Sequence, residues 1–167
     1  LIYVGVDPGT RLCGVAWERD ERRVAYVVRS KAPSLELRAI DMAAQIADGL
    51  PMRQGERPTA VGCVEFPRFY GTAKSEGDPN DLIDLAGVAG VVLGMLSVRL
   101  FLVPSMPYPR SWKGSTPKKI HHERLRRDFQ HWVEPVERAT PKSMRNHVWD
   151  AVGLLEWIKS KTQNGSD

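Results

Sequence analysis

Short apolar runs alternate with amphipathic stretches along this chain. Leu1-Ile2-Tyr3-Val4-Gly5-Val6 is almost unbroken in apolar residues and stops at Asp7-Pro8-Gly9-Thr10. Such a run, closed by turn residues, predicts a buried strand, because β-branched side chains suit a packed pleat and Pro-Gly breaks the hydrogen-bond ladder. Cys13 to Trp17 predicts a second strand and Arg23 to Ser30 a third, joined by the polar turn Arg19-Asp20-Glu21-Arg22. Connections this short link antiparallel neighbours, so the three should form a meander. Ala60 to Glu65 repeats the opening pattern, a buried strand that runs into an acid. Leu100 to Val103, closed by Pro104, supplies a fifth strand.

Between strands the period becomes helical. Leu37, Ile40, Ala44, Ile46 and Ala47 follow Pro33-Ser34 at roughly 3.6-residue spacing, and Gly49-Leu50-Pro51 stops them. Asn80 is a good N-cap for a helix from about Asp81 to Ser97, whose early acids Asp81 and Asp84 suit the positive end of a helix dipole. A third helix is predicted over Lys118 to Val133. Thr140-Pro141, as N-cap and first helical residue, opens a fourth that extends to about Lys161. On it Met144, His147, Val148, Ala151, Leu155 and Ile158 share one face. The pattern describes an α/β protein: a mixed five-stranded sheet with helices on both faces and right-handed crossovers. One domain over residues 1–161, with a flexible polar tail over 162–167, accounts for the sequence, and 167 residues can bury a core without staples.

Composition narrows the class. A hydrophobic content of 42% argues against disorder. Leu82 to Leu102 comes nearest to the roughly 20 apolar residues of a bilayer span, but Asp84, Gly87, Gly90, Gly94 and Arg99 interrupt it, so no membrane segment is expected. The first strand has no basic leader before it, and Cys13 and Cys63 each sit inside an apolar run. These features point to reduced core thiols in a cytoplasmic protein. Net charge is +4, which permits a polyanionic partner without requiring one. Its distribution says more. Acids gather at Glu76, Asp78, Asp81 and Asp84, whereas bases crowd from Arg110 to Arg127 and return at Lys142 and Arg145. A basic segment of this kind is either the footprint of phosphate-backbone contacts or the solvated face of a helix.

Asp7 alone has two readings: it starts a turn, or it is a carboxylate at the end of a core strand whose burial must be offset. Glu65 ends a second buried strand. If that strand lies beside the first and parallel to it, both acids emerge at one end of the sheet; otherwise Glu65 points into solvent. His147 and Asp150, three residues apart on the last helix, are neighbours at the margin of its buried face. An acid and an imidazole there either cap polar groups in the sheet or bind metal. Two strand-end acids and a helical His-x-x-Asp together favour metal, since carboxylates this close repel unless a cation lies among them. Oxygen ligands favour Mg²⁺ or Mn²⁺, and one imidazole makes Mn²⁺ a credible substitute.

Val-Gly-Val-Asp7-Pro-Gly-Thr, Glu65 after a hydrophobic strand, a glycine-rich helix and His147-Val-Trp-Asp150-Ala together resemble the RuvC family of Holliday junction resolvases. The likeness extends in order and spacing over nearly the whole chain. It implies an RNase H-like fold, a homodimer, and cleavage of branched DNA at four-way junctions to 3′-hydroxyl and 5′-phosphate ends, with two Mg²⁺ or Mn²⁺ ions per active site. It assigns catalytic, metal-binding roles to Asp7, Glu65, His147 and Asp150, with His147 a variant of the aspartate often found there. It also implies two active-site lysines after the fifth strand, Lys113 and Lys118, with Lys119 an equal candidate for the second. Their separation is shorter than in bacterial resolvases. The loop after Glu65 carries Arg68, Phe69, Tyr70 and Lys74. The family places a junction wedge in that loop. Phe69 matches it best, with Tyr70 as the alternative, and a hydrophobic loop plug is the plainer reading of these aromatics. A phage or plastid-like branch of the family would explain such departures.

Further candidates for DNA backbone contacts are Lys119, Arg124, Arg127, Lys142 and Arg145. The helix with Ala86, Gly87, Gly90 and Gly94 is either the dimer element or packs closely on its own sheet, since small residues let backbones approach. Rival readings keep parts of this picture. A related nuclease could act on flaps, forks or RNA–DNA hybrids with the same residues. An actin-like ATPase also uses an Asp-x-Gly-Thr turn, but this chain is too short for two lobes. A catalytically dead binding module would not need every acid intact.

Overall fold

The computed structural model describes residues 1–52, 59–68, 78–99 and 101–164. In chain order the elements are β1 (Ile2–Asp7), β2 (Leu12–Arg19), β3 (Arg22–Arg29), α1 (Leu35–Asp48), β4 (Thr59–Val64), α2 (Pro79–Arg99), β5 (Phe101–Ser105), α3 (Pro109–Lys113), α4 (Lys118–Asp128), α5 (Val133–Ala139) and α6 (Arg145–Asn164). The sheet order is β3-β2-β1-β4-β5. β1, β2 and β3 form the expected antiparallel meander, and β4 and β5 add parallel to β1 on its other side. The β2–β3 turn is a two-residue hairpin in which Asp20 and Glu21 both take positive φ (49° and 65°), the conformation that matches the twist of the strands.

Strand alternation sorts the sheet into two faces. Ile2, Val4 and Val6 of β1, Cys13, Val15 and Trp17 of β2, and Ala60 and Val64 of β4 form one core with α1 and α2. The opposite face carries Tyr3, Gly5 and Asp7, then Gly14, Ala16 and Glu18, then Val61, Cys63 and the following Glu65. α6 lies on that face, with Val148, Ala151, Leu154 and Leu155 buried against it. A Cβ on Gly5 would overlap the Ala151 carbonyl oxygen, and one on Gly14 would overlap that of His147. The two glycines therefore form a notch that lets the α6 backbone rest directly on β1 and β2.

Several helix limits differ from the sequence expectation. α4 ends at Asp128, where Phe129 leaves helical space (φ −123°, ψ 56°), and a short 3₁₀ turn over Gln130–Trp132 leads into α5. The break seats Trp132 in the core, its indole donating to Glu156 Oε1 at 2.7 Å. Pro135 then falls in the first turn of α5, where its missing N–H costs nothing. Thr140 caps the C-terminal end of α5 instead of opening the last helix, which starts at Arg145 after a 3₁₀ turn over Lys142–Met144. The middle of α6 is buried on all sides, from Val148 through Leu155, because α3, α4 and α5 cover what the sheet does not. Met144 and His147, expected on the buried face, are only half-buried.

α2 brings the largest correction. By length and composition the stretch Asn80–Arg99 is apolar enough to cross a bilayer, with a mean hydropathy of 1.8. Here it packs on the α1 face of the sheet through Val88, Ala89, Val92 and Leu96. Its glycines are not part of that packing: Gly87, Gly90 and Gly94 each face open space.

Because the clash at the notch is with backbone, Gly5→Ala should destabilise the protein by about 3 kcal/mol, read as a lowered urea midpoint with an unchanged m-value.

Candidate active site

The parallel register of β1 and β4 pairs Val6 with Val64, and the Glu65 N–H donates to the Val6 carbonyl at 3.1 Å. Asp7 and Glu65 thus leave the same end of the sheet on adjacent strands, on the face that α6 covers. α6 brings His147 and Asp150, one helical turn apart, to that end. Asp7, Glu65 and Asp150 are all buried, Asp150 to 1% exposure.

Each carboxylate is met by a donor. His147 Nδ1 lies 2.8 Å from Asp7 Oδ2. Glu65 Oε1 accepts from Lys113 Nζ at 3.1 Å and from the Trp112 indole at 3.3 Å, so neither bond engages Oε2. Asp150 is held through both oxygens: Oδ2 lies 2.6 Å from Lys118 Nζ, and Oδ1 lies 2.9 Å from His122 Nε2. Of the two lysines that the sequence leaves as alternatives, Lys118 is the one whose Nζ reaches Asp150. Both lysines are exposed at the start of α4.

The electrostatics divide the acids. Burial drives the Glu65 carboxyl up to about 7; Lys113 opposes this, while the charges of Asp7 and Asp150 add to it. Asp150 is also penalised by burial, but the His122 hydrogen bond and the charges of Lys113 and Lys118 outweigh that and hold it near 2. Burial pulls the Lys118 ammonium down, yet Asp150, Asp7 and Glu65 together leave it above its ordinary value. Three carboxylates and an imidazole suit a hard divalent cation.

Trp112 and His122 were not singled out as site residues by the sequence. The signal for His122 was present, since it lies four residues after Lys118 and so shares its helix face. Trp112 stacks edge-on against His121 at 5.0 Å, and burial lowers the His121 imidazole to about 4. A cavity of about 200 Å³ opens beside Asp7 and Glu65, bordered by Arg68, Lys113 and the α2 residues Leu82 and Leu85. Arg68 also sits over the Tyr108 ring at 5.0 Å. A second hollow of about 380 Å³ adjoins Lys118 and His122 and is lined further by Lys119, Arg126 and Asn146, with Glu123 at its edge.

The other basic candidates divide. Arg124 reaches Thr116 at 3.5 Å, Arg127 pairs with Asp128, and Lys142 is exposed. Arg145 is tied to the carbonyls of Thr140 and Glu137, each at 3.2 Å, which makes it a fastener of the α5 end. Phe69, Tyr70 and Lys74 lie outside the described residues, as does Glu76.

Among the described residues, metal-competent atoms come within 4.8 Å of one another as a set only at Glu18, His131 and Glu156. That cluster lies at the far end of β1, where Glu18 pairs with Tyr3. Its charge is already answered, because Lys159 and Arg23 bind Glu18 at 2.8 and 2.9 Å and Trp132 donates to Glu156.

A raised Glu65 binds its proton more tightly in the folded protein than in the unfolded chain. Between about pH 4.5 and 7 the folded state therefore holds more protons, and this group's contribution falls as pH rises. In metal-free protein, Glu65→Gln should raise the thermal midpoint by a few degrees at pH 8, with the gain vanishing near pH 5; calorimetry across that range checks it.

Neither a family model nor a curated protein matches the sequence. Solved structures do. The chain is similar to Thermus thermophilus RuvC in complex with a Holliday junction substrate, with a TM-score of 0.67 and 16% identity, covering 99% of this chain and 97% of that one. A second Thermus thermophilus RuvC structure aligns at a TM-score of 0.62 and 17% identity, covering 99% and 98%. The mixed five-stranded sheet in the order 3-2-1-4-5 is thus the RuvC-type, RNase H-like fold that the sequence led us to expect.

Proposed function

We propose that this protein is a divalent-metal-dependent endonuclease that resolves four-way DNA junctions, leaving 3′-hydroxyl and 5′-phosphate ends. The carrying observation is the meeting of Asp7, Glu65, His147 and Asp150 at one end of a RuvC-type sheet, with Lys113 and Lys118 among them. A similar fold is seen with a Holliday junction in the Thermus thermophilus protein, which supports the choice of substrate.

Asp7, Glu65, Asp150 and His147 would hold the cations, two Mg²⁺ or Mn²⁺ per site. Bound there, a divalent ion supplies an activated water and charge stabilisation for phosphodiester hydrolysis. The chain's own residues do the rest. Strand pairing fixes the backbones from which Asp7 and Glu65 project. Lys118 is half exposed and can turn from Asp150 towards a phosphate oxygen; Lys113 stands in the same relation to Glu65. The hollow beside Lys118, with Lys119 and Arg126 on its wall, gives the flanking backbone a basic path.

A four-way junction has two scissile strands, and a two-fold dimer supplies two sites in one encounter. α2 offers the surface for it. Ile83, Gly87, Gly90, Gly94 and Val98 recur at spacings of three and four, all exposed, with Ile83 and Val98 at 69% and 88%. That is a seam for a second copy of the helix, with glycines where two backbones would approach.

Two experiments test these readings. Asp7→Asn should abolish cleavage of labelled immobile junctions in Mn²⁺ while leaving junction binding intact in a gel shift. Unchanged turnover would remove the metal mechanism, and cleavage of flaps or RNA–DNA hybrids in preference to junctions would move the substrate. Gly90→Arg, at a position with open space around it, should give a folded monomer by analytical ultracentrifugation that nicks junctions without resolving them.

A further inference from the structure

Asp150 depends on two donors from a single helix, and they differ in kind. Lys118 and His122 lie one turn apart on α4 and take opposite oxygens of the same carboxylate. The Lys118 side chain is 50% exposed on a four-carbon stem, whereas the His122 ring is 7% exposed and has only two rotatable bonds. The lysine is the partner that can leave; the histidine is the one that stays. Resting on the nuclease reading above, we propose that His122 is a positioning residue, its Nε2–H holding Asp150 Oδ1 so that Oδ2 would be left to a divalent cation when Lys118 turns to phosphate.

The chemistry of the pair fixes the direction of the bond. An ionised carboxylate has only acceptors, so the ring nitrogen facing it carries the proton. Fixing one oxygen this way orients the other and lowers the entropy lost when a metal binds, the usual work of a partner behind a metal ligand. His122 is also not isolated. It lies 6.1 Å from His121, which packs against Trp112 at 5.0 Å, and Trp112 donates to Glu65 Oε1. A row of three rings therefore runs from the support of Asp150 to the support of Glu65. The two carboxylates, though on different elements, share one wall.

The test compares His122→Phe, which keeps a ring but no donor, with His122→Gln, whose amide can reach the place of Nε2. Mn²⁺ affinity is measured by calorimetry without DNA, kcat and KM on junctions separately, and the thermal midpoint as a control of folding. His122→Phe should weaken Mn²⁺ binding about 10- to 100-fold and lower kcat with KM for the junction unchanged, and His122→Gln should recover most of both. The assignment is overturned if the Phe variant binds Mn²⁺ and turns over like wild type. It is equally overturned if Gln fails as Phe does with the midpoint intact. Should the Phe variant not fold, His122→Ala takes its place, and unchanged Mn²⁺ affinity there overturns the assignment. A wild type that binds Mn²⁺ yet cleaves no branched or hybrid substrate would refute the nuclease reading alone, leaving the Mn²⁺ comparison to judge His122.

Discussion

Two carboxylates side by side on neighbouring parallel strands, both out of water, form the constraint that the surrounding structure answers. Neither Asp7 nor Glu65 can withdraw, because each terminates a strand whose apolar residues are locked into the core on the α1 and α2 side. Burial above all, and repulsion from Asp7 and Asp150, work against charge on Glu65. The response is to bring donors from elements distant in sequence: His147 from α6, Trp112 and Lys113 from α3, and Lys118 and His122 from α4. α3 and α4 are short and pack on α6, and most of what each contributes to the site is a partner for one acid.

The second constraint is mechanical. Asp150 meets the other acids only because α6 lies almost in contact with the sheet, and the notch at Gly5 and Gly14 permits that approach. Packing and chemistry are therefore coupled through the same helix: its apolar residues hold it down, and its polar pair reaches the sheet end because it is held down. The sides of α6 not covered by the sheet are covered by α3, α4 and α5. The elements that pack its back are also those that supply most of the donors.

Much of this was legible in the sequence because it is written in short-range pattern. The strands, the meander and the two strand-end acids follow from alternation and turn residues within windows of ten. Asp7 and Glu65 stand where apolar strands end, and His147 and Asp150 on the buried face of a helix and at its margin. What was hidden depends on how helices dock. His122 looks like any residue of a basic amphipathic helix until α4 is placed against α6. The break at Phe129 and the 3₁₀ entry to α6 reflect the seating of Trp132 and the fastening of Thr140, which no local propensity reports. α2 left two readings open for another reason: small residues suggest close packing without naming the partner, and its glycines sit opposite the face that packs within this chain.

The hydrogen bond between His147 and Asp7 joins residues 140 positions apart. When this chain is made, the first strand leaves the ribosome long before the helix that completes its end of the sheet. A nascent chain carries Asp7 and Glu65 without His147 or Asp150, and the four side chains cannot meet until α6 docks in the glycine notch. Such long-range closure is slow to form and comes late. On the proposed reading, the docking of α6 is the arming step of the nuclease.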